Sequence, residues 1–575
     1  MADIVTPLLN AQRRDEEVRA GFEDRMQAAF DFVNPRRFDM SGSSTKGSKR
    51  KTKMYDGVAQ DAMLTWVDGM LGWVVSKPLT WQKATILDRR YRDDDGVKRY
   101  FDDYTEQMRL EFIRATFYSV EPEWLQDAAS GGHGTILTEE SSDLSHAICR
   151  VVHPGRHWIE ENSEGVVDVF HERLTLTARQ CLQKYNKPGD TLPAVIRKWA
   201  KDSNSSNWEV SLLQCVRPAN DSIFESRIAW SKFAIVTIVD SLSGGHGGTA
   251  AEAEFKSTRD RLIRVQPLDY FSPTVWRFRK NSDELYGYSP AMDVGCVIDA
   301  VQQHAFNLLD MGNFAARPIM AVPDEKRTSF RRLPGATFGF GSEKRLPQAV
   351  LMGGEYPIAV DRENKLHALI YSRYGYDLWR MMAVYQQKKE RNQAFEVSEA
   401  RIDQARLLVG QASNFWDNGM VPVYSNIAKI AAKAGRLPEP PAILQDLAGS
   451  DVVEVVPLGP LSQLQEYASN VSGIQQGMRF LSDIAEIVGR HISPQMAAQL
   501  YHRINLPDLA EFGLDKTGMP RRLMRTDEEV AALVADDHRR MAQQEAAVNA
   551  QKMAAASAQL GKPVAENSLL AAGVA

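Results

Sequence analysis

The sequence YGYSPAMDVGCVIDAVQQHAFNLLDMGNFAARPIMAVP, at Tyr286–Pro323, combines a sharp turn, a long helix and a sharp exit. Ser289 is a preferred N-cap residue, and Pro290 follows at the first helical position, where a missing N–H costs nothing. Pro318 ends the helix because it lacks a donor and restricts the residue before it. The pattern therefore predicts one long helix at residues 289–316.

The two sides of this helix differ in polarity. Apolar residues recur at helical spacing on one side, namely Val294, Val297, Ile298, Val301, Ala305, Leu308 and Leu309. Polar residues follow the other side, namely Asp299, Gln303, Asn307 and Asp310. The two aspartates lie about 16 Å apart along a helix, so they cannot share one substrate. Two explanations stay open, a solvated helix face or a ring of carboxylates lining a lumen when the subunit repeats around an axis.

The run PTVWRFRKNSDELYGYSP at Pro273–Pro290 resembles the P-x-x-x-R-W … YGxSP motif of portal proteins, the head-to-tail connecting proteins of short-tailed bacteriophages. Tyr288 stands where a basic residue is common in that family, and Arg277-Phe278 replaces the usual Arg-Trp. The similarity extends from the first helix to about Val530. It implies an α+β, mainly helical subunit with wing, stem, clip and crown regions that assembles into a ring around a central channel.

The resemblance also implies a division of the chain into regions. These are the wing at 1–288, the first stem helix at 289–316, the clip at 317–371, the second stem helix at 372–386, the channel loop at 387–397, the return helix with the wing and crown base at 398–525, and the crown helix with its tail at 526–575.

Periodicity and turn residues predict the remaining elements. Helices are expected at 4–34, 55–75, 91–126, 177–185 and 374–387, from 398 onward, and from 526 to about 553. Strands are expected at 135–139, within 147–175, 207–240 and 260–279, and at 451–456. The prolines and glycines of Arg317–Ile370 exclude a long helix there and leave short strands at 319–322 and 349–352.

Composition and charge limit the class of protein. The chain has 575 residues, a net charge of -5 and 43% hydrophobic residues, which is ordinary for a protein with a packed core. Four widely separated cysteines suggest neither a disulfide framework nor a zinc knuckle, and no targeting or membrane segment is evident. The mild acidity argues against a protein that wraps nucleic acid tightly, but it is compatible with a conduit through which a duplex slides.

The sequence predicts no catalytic, metal or cofactor site and no enzymatic activity. The basic loop Arg36–Lys53 is not a phosphate-binding P-loop, because Gly47 is followed by Ser48-Lys49 and no apolar strand precedes it. His153 and His157 have the spacing of a metal pair on a helix, but Pro154-Gly155 between them forbids a helix. No nuclease or hydrolase motif is recognisable.

The resemblance implies a function as the portal at the capsid vertex of the virion, assembled in the host cytoplasm. Double-stranded viral DNA would be packaged and ejected through a dodecameric ring, without sequence specificity. The implied partners are further copies of the chain, the terminase, tail adaptor proteins, and the major capsid and scaffolding proteins, and no membrane. The alternatives are another virion structural protein, such as a scaffold or tail component, and a packaging enzyme, against which the absence of a P-loop argues.

Two groups of basic residues become site candidates through this resemblance. Lys388, Lys389 and Arg391 lie in the channel loop, where cations would grip phosphates; a solvated helix continuation is the alternative. The candidates for docking partners in the clip are Arg327, Arg331, Arg332, Lys344 and Arg345.

Overall fold

The computed structural model describes residues 4–37, 39–40, 53–91, 94–141, 145–187, 189–224, 231–243, 255, 257–316, 319–321, 348–350, 356–384, 407–408, 410–445, 453–462, 477–484, 486, 525 and 527–560. The chain divides into two compact units. The first comprises residues 1–84, 104–439 and 455–483, and the second comprises 85–103, 440–454 and 484–575. The expected α+β class is confirmed.

The helices alternate with sheet segments in the first half of the chain. They are α1 (Val5–Phe32), α2 (Val58–Trp73), α3 (Asp95–Arg114), α4 (Phe117–Gly131), α5 (Ala178–Lys184), α6 (Ala194–Lys201), α7 (Pro290–Asp293), α8 (Gly295–Ala316), α9 (Tyr356–Tyr374), α10 (Tyr376–Val384), α11 (Val421–Lys433), α12 (Ala442–Gln445) and α13 (Asp527–Leu560). A π-helical turn at Trp416–Met420 leads into α11. Among the described helices, none is both long enough and apolar enough to cross a membrane.

The strands are short and mostly antiparallel neighbours. They are β1 (Gln82–Ile86), β2 (His133–Glu140), β3 (Ala147–Val152), β4 (His157–Glu161), β5 (Val167–Thr177), β6 (Glu209–Pro218), β7 (Phe233–Ser243), β8 (Leu262–Leu268), β9 (Pro273–Arg277), β10 (Ile319–Ala321), β11 (Gln348–Val350) and β12 (Val453–Pro457). The predicted strands near 135–139, 207–240, 260–279 and 451–456 are confirmed.

A five-stranded antiparallel sheet, ordered β4-β5-β6-β7-β8, forms the larger core of the first unit. Successive residues of β6 point to opposite faces, so Leu212 packs under α5 and α6 while Leu213 packs under the start of α1. The predicted helix at 177–185 is confirmed as α5, and a capping box formed by Thr177 and Gln180 fixes its start.

A second sheet, ordered β3-β2-β9, carries α4 along one side and connects directly to the stretch that opened the sequence analysis. Trp276 of β9 lies in an aromatic cluster with Trp66 of α2 and Trp124 of α4, at ring-centroid distances of 6.4 and 6.2 Å. All three indoles are fully buried. This cluster holds β9, α2 and α4 together, and the chain leaves β9 toward α8.

Three predicted helices have different bounds in the structure. The helix expected at 91–126 is two helices, because Thr116 adopts φ 58° and breaks α3 from α4. The helix expected from 289 is interrupted after one turn at Val294, so the long segment begins at Gly295. The helix expected at 374–387 is present as α10 at Tyr376–Val384, and Gly375, whose φ is 64°, separates it from the longer α9 before it.

The prediction that Arg317–Ile370 contains no long helix is wrong, because α9 begins at Tyr356 and runs for 19 residues. Pro357 lies in the first turn of α9, where the backbone N–H has no intrahelical partner and proline is tolerated. The second long helix therefore starts inside the range assigned to the clip. The two short strands are confirmed, since β10 and β11 pair antiparallel with Ile319 opposite Val350.

Candidate functional site: the long helix α8 and its anchor

The short helix α7, which leads into the long helix α8, is fixed at its start by a local cap and by a contact to α4. The Ser289 hydroxyl accepts a hydrogen bond from the Met292 N–H at 3.1 Å, which confirms the predicted N-cap, and Pro290 occupies the first helical position. The same hydroxyl donates to the Ser130 carbonyl oxygen at 2.7 Å. One buried side chain thus begins the helix and ties it to the C-terminal end of α4.

Two glycines allow the chain to cross itself beside this cap. Gly132, at φ 86°, ends α4 in the left-handed region, and its backbone faces that of Gly287. A Cβ added at either glycine would overlap the carbonyl oxygen of the other. The Gly132 carbonyl also accepts from the Phe278 N–H at 2.9 Å. The crossing therefore requires two residues without side chains, one from each segment.

These contacts give a physical reason for each part of the Y-G-x-S-P pattern. Tyr286 is fully buried, with its ring centroid 5.3 Å from that of Phe22. Gly287 forms the crossing, while Ser289 and Pro290 begin the helix. Tyr288 lies at the variable position, and its hydroxyl donates to Glu284 at 2.7 Å and contacts Arg25 of α1. A cation thus accompanies this position even though the residue itself is not basic.

The end of α9 returns to the same anchor. The buried Tyr374 hydroxyl donates to the Ala129 carbonyl oxygen at 3.1 Å. Burial raises the pKa of Tyr374 above its ordinary value, so the phenol stays protonated and remains a donor. Asp293 Oδ2 accepts from Arg279 at 2.7 Å and from Arg373 Nε at 2.9 Å. The end of α9 and the short helix α7, which leads into α8, are therefore joined to α4 and to each other.

The long helix α8 has one buried and one solvated side, although Leu309, which the sequence places on the apolar side, is 55% exposed. Ile298 and Val301 are 3% and 1% exposed, whereas Asp299, Gln303 and Asn307 are exposed and Asp310 is partly exposed. Gln303 donates to Asn307 at 3.2 Å along that polar side. The helix contains two aspartates and no lysine or arginine. Its open side is consequently acidic.

A polar junction joins α8, α9 and the segment before α2. The Gln302 side chain is 7% exposed; its Oε1 accepts from the Tyr55 and Asp56 N–H groups and its Nε2 donates to the Asp56 carbonyl oxygen. His304 Nε2 lies 2.8 Å from the Ala359 carbonyl oxygen of α9. His367 of α9 lies 3.0 Å from an Asp56 carboxylate oxygen. These hydrogen bonds, which no sequence pattern indicates, lie where α8, α9 and the segment before α2 meet.

The other predicted site residues cannot be placed against this geometry. Lys388, Lys389 and Arg391 lie outside the described residues. So do the five arginines and lysines assigned to the clip, at Arg327, Arg331, Arg332, Lys344 and Arg345. The structure therefore locates the polar side of α8 and leaves the two basic groups as predictions.

His153 and His157 do not converge on a shared space. His153 Nδ1 accepts from the Gly155 N–H at 2.9 Å, and a short 3-10 helix at Pro154–Arg156 separates the two residues. His157 has Nδ1 3.1 Å from the His153 carbonyl oxygen and Nε2 3.0 Å from the Thr135 hydroxyl. Both rings therefore make contacts that stabilise the turn between β3 and β4.

Sequence comparisons identify the family to which this fold and anchor belong. The sequence model described as Bacteriophage head to tail connecting protein matches residues 9–524. The chain belongs to the head-to-tail connecting protein family. The connector is also 22% identical to the portal protein of Salmonella phage epsilon15 over 486 residues, which cover 83% of this chain and 82% of that protein.

The chain also aligns weakly with one solved structure. One chain from the virion of a native gene transfer agent particle aligns with a TM-score of 0.32 and 10% identity, over 74% of this chain and 85% of that chain. The family match supports a portal function for the connector and places it at the head-to-tail connection of a phage virion. The predicted resemblance to portal proteins is thus confirmed.

Proposed function

We propose that the connector assembles into a closed ring of twelve subunits through which double-stranded DNA enters and leaves the capsid. In this ring α8 is the first stem helix, α9 and α10 form the second, and residues 322–347 lie in the clip. Residues 387–397 form the channel loop, and α13 belongs to the crown. The wing comprises the two sheets and their helices.

The observation that carries this proposal is the family match over residues 9–524, together with the two-sided character of α8. The buried side of α8 packs on its own subunit, and Asp299, Gln303 and Asn307 are directed away from it. A DNA conduit should present few fixed cations, because each phosphate contact strengthens binding and slows sliding. An acidic helix without lysine or arginine suits the wall of such a channel.

The proposed ring predicts a defined oligomer for the purified full-length chain. We expect closed rings without nucleotide or added metal, because head-to-tail contacts between identical subunits either close or grow into filaments. Electron microscopy along the symmetry axis and mass photometry measure the subunit number and the presence of a central hole. A stable monomer at micromolar concentration, or an open filament, contradicts the proposal.

The channel loop is proposed to hold DNA through Lys388, Lys389 and Arg391. Cations repeated around a ring can contact phosphates briefly without reading bases, and such contacts weaken with salt. The triple change to glutamine is expected to leave ring assembly intact but to reduce the retention of packaged DNA by about tenfold or more. That is about 1.4 kcal/mol for the whole loop.

The measurement for the triple variant is the length and retention of DNA in particles packaged with it. A matched control replaces Arg13, Arg14 and Lys83 by glutamine, which removes the same charge from outside the proposed channel loop. We expect normal retention in the control. If particles with either variant retain the same amount of DNA, the loop does not hold DNA through Lys388, Lys389 and Arg391.

The clip is proposed to dock the terminase during packaging and tail adaptor proteins afterwards, through Arg327, Arg331, Arg332, Lys344 and Arg345. The antiparallel pairing of Ile319 with Val350 supports treating residues 322–347 as one insert, because it brings the two ends of that insert together. Major capsid and scaffolding proteins would contact the wing and crown. The connector's role in this scheme is structural, and we propose that it catalyses no reaction.

A further inference from the structure

We propose that Asp56, Glu363 and His367 bind one divalent first-row transition-metal ion, such as Zn²⁺, at the junction of the two long helices. One oxygen or nitrogen from each of these three side chains lies within 4.8 Å of the others. Glu363 and His367 are four residues apart on α9, so both project from the same side of the helix. Asp56 faces them from the segment before α2.

The spacing of the donor atoms approaches that of a coordinated ion. His367 Nε2 lies 3.0 Å from Asp56 Oδ2, whereas two ligands of a tetrahedral zinc are about 3.3 Å apart at bond lengths of about 2.0–2.1 Å. Among the described residues, no lysine or arginine pairs with either carboxylate of this cluster. Glu363 can therefore turn toward the ion without breaking an ion pair to a described residue.

Asp56 is held in place by groups that leave one of its oxygens for the ion. Its Oδ1 accepts from the Val58 N–H at 2.7 Å. Its backbone is clasped by the Gln302 amide, which accepts from the Asp56 N–H at 3.2 Å and donates to its carbonyl at 2.7 Å. One turn after His367, Tyr371 donates to Asp61 of α2 at 3.3 Å. Such outer contacts orient ligands before the metal arrives.

A second cluster with the same composition, Asp15, Glu160 and His171, shows what a closed arrangement looks like. Arg217 donates to His171 Nε2 at 3.1 Å and to Glu160 and Asp221. His171 Nδ1 lies 3.0 Å from Asp15, and burial lowers the pKa of His171 to about 3. There, the Arg217 guanidinium occupies the place that a cation would take, and it holds His171 Nε2 as an acceptor. No guanidinium fills the corresponding position between Asp56, Glu363 and His367 among the described residues.

The donor set selects the class of ion. Two carboxylates and one imidazole suit zinc, manganese or cobalt, whereas calcium prefers six to eight oxygen ligands and rarely uses histidine. Partial exposure of Asp56 and His367 leaves access for the ion and for a water as a fourth ligand. Binding would cross-link the segment before α2 to α9, with Gln302 of α8 behind it, and so stiffen the base of both long helices.

The experiment uses the full-length chain, treated with a chelator and dialysed, with Zn²⁺ alone as the titrant in calorimetry. Co²⁺ serves as a spectroscopic substitute whose visible absorption reports nitrogen and oxygen coordination. We expect about one ion per chain at this site. His367→Ala and Glu363→Gln are expected to weaken binding by at least about tenfold, and Gln302→Ala by about 10- to 100-fold, as outer-contact changes do elsewhere.

The matched control is His304→Ala, which removes a histidine of the same junction whose ring hydrogen-bonds to the Ala359 carbonyl oxygen and is not one of the three proposed ligands. Thermal unfolding without metal shows whether each variant is folded. If His367→Ala does not fold, Glu363→Gln still tests the site, because glutamine has the same shape as glutamate and residue 363 is partly exposed. Retained binding in His304→Ala with loss in Glu363→Gln supports the site. Absence of Zn²⁺ and Co²⁺ binding, unchanged affinity in Glu363→Gln, or equal loss in His304→Ala overturns it.

Discussion

Val301→Asp is expected to prevent the chain from folding into an assembly-competent subunit. Val301 is 1% exposed on the buried side of α8, and that helix contains no lysine or arginine to pair with a carboxylate there. Burying an unpaired polar group costs roughly 2–7 kcal/mol, which is comparable to the whole stability of many domains. The measurements are the soluble yield, the thermal unfolding midpoint and the ring population by electron microscopy.

Gln303→Asp provides the control for Val301→Asp. It adds the same charge two residues away on the same helix, but at an exposed position. We expect the Gln303→Asp protein to be soluble, to melt near the wild-type temperature and to form rings. If Val301→Asp melts and assembles like Gln303→Asp, the burial assigned to this side of α8 is wrong.

Gly287→Ala is expected to have the second large effect, through the backbone rather than through charge. The added methyl group would overlap the Gly132 carbonyl oxygen and lie 3.1 Å from the Arg277 Cβ. Neither backbone can move alone, because the Gly132 carbonyl holds the Phe278 N–H and Ser289 is tied to Ser130. We expect a loss of roughly 3 kcal/mol, at the upper end of the cost of overpacking. Chemical denaturation with a fluorescence readout measures this loss.

Gly312→Ala distinguishes a steric effect from a general effect of replacing glycine. Gly312 lies inside α8, and among the described residues no atom beyond its own stretch of helix lies within 4 Å of an added methyl group. Alanine is favoured over glycine in a helix by roughly 0.5–1 kcal/mol, so this variant should be slightly more stable. A Gly287→Ala protein as stable as Gly312→Ala would be incompatible with the crossing.

Local chemistry made parts of the fold predictable. Ser289 and Pro290 announce a helix start because a cap needs only a nearby hydroxyl and a free first turn. The hairpin between β4 and β5 also depends on local residues, since the Asn162 side chain accepts from the Glu164 and Val166 N–H groups and Gly165 adopts φ 76°. These features depend on residues within a few positions of one another.

Other features depend on the position of a residue within an element, which composition alone does not give. Pro357 counts against a helix when only composition is considered, but a proline in the first turn of a helix is compatible with it. Thr116 adopts a left-handed conformation that threonine rarely occupies, and nothing nearby in the sequence indicates it. The single helix predicted at 91–126 was therefore divided in the structure.

The candidate site was readable only where it lies on one helix. The polar side of α8 follows from spacing, because Asp299, Gln303 and Asn307 are neighbours along one face. The partnership of Gly132 with Gly287, and of Asp56 with His367, joins residues more than 150 positions apart. No short-range pattern encodes such pairs, so they emerge only from the folded chain.

The anchor at the end of α4 also has an evolutionary consequence. In these contacts α4 contributes the main-chain carbonyl oxygens of Ala129 and Ser130, whereas the partners contribute side chains, the hydroxyls of Tyr374 and Ser289. Residues 129 and 130 are thus free to drift among small residues, while their distant partners are not. Among relatives as divergent as 22% identity, we expect a hydroxyl to persist at positions 289 and 374 while 129 and 130 change.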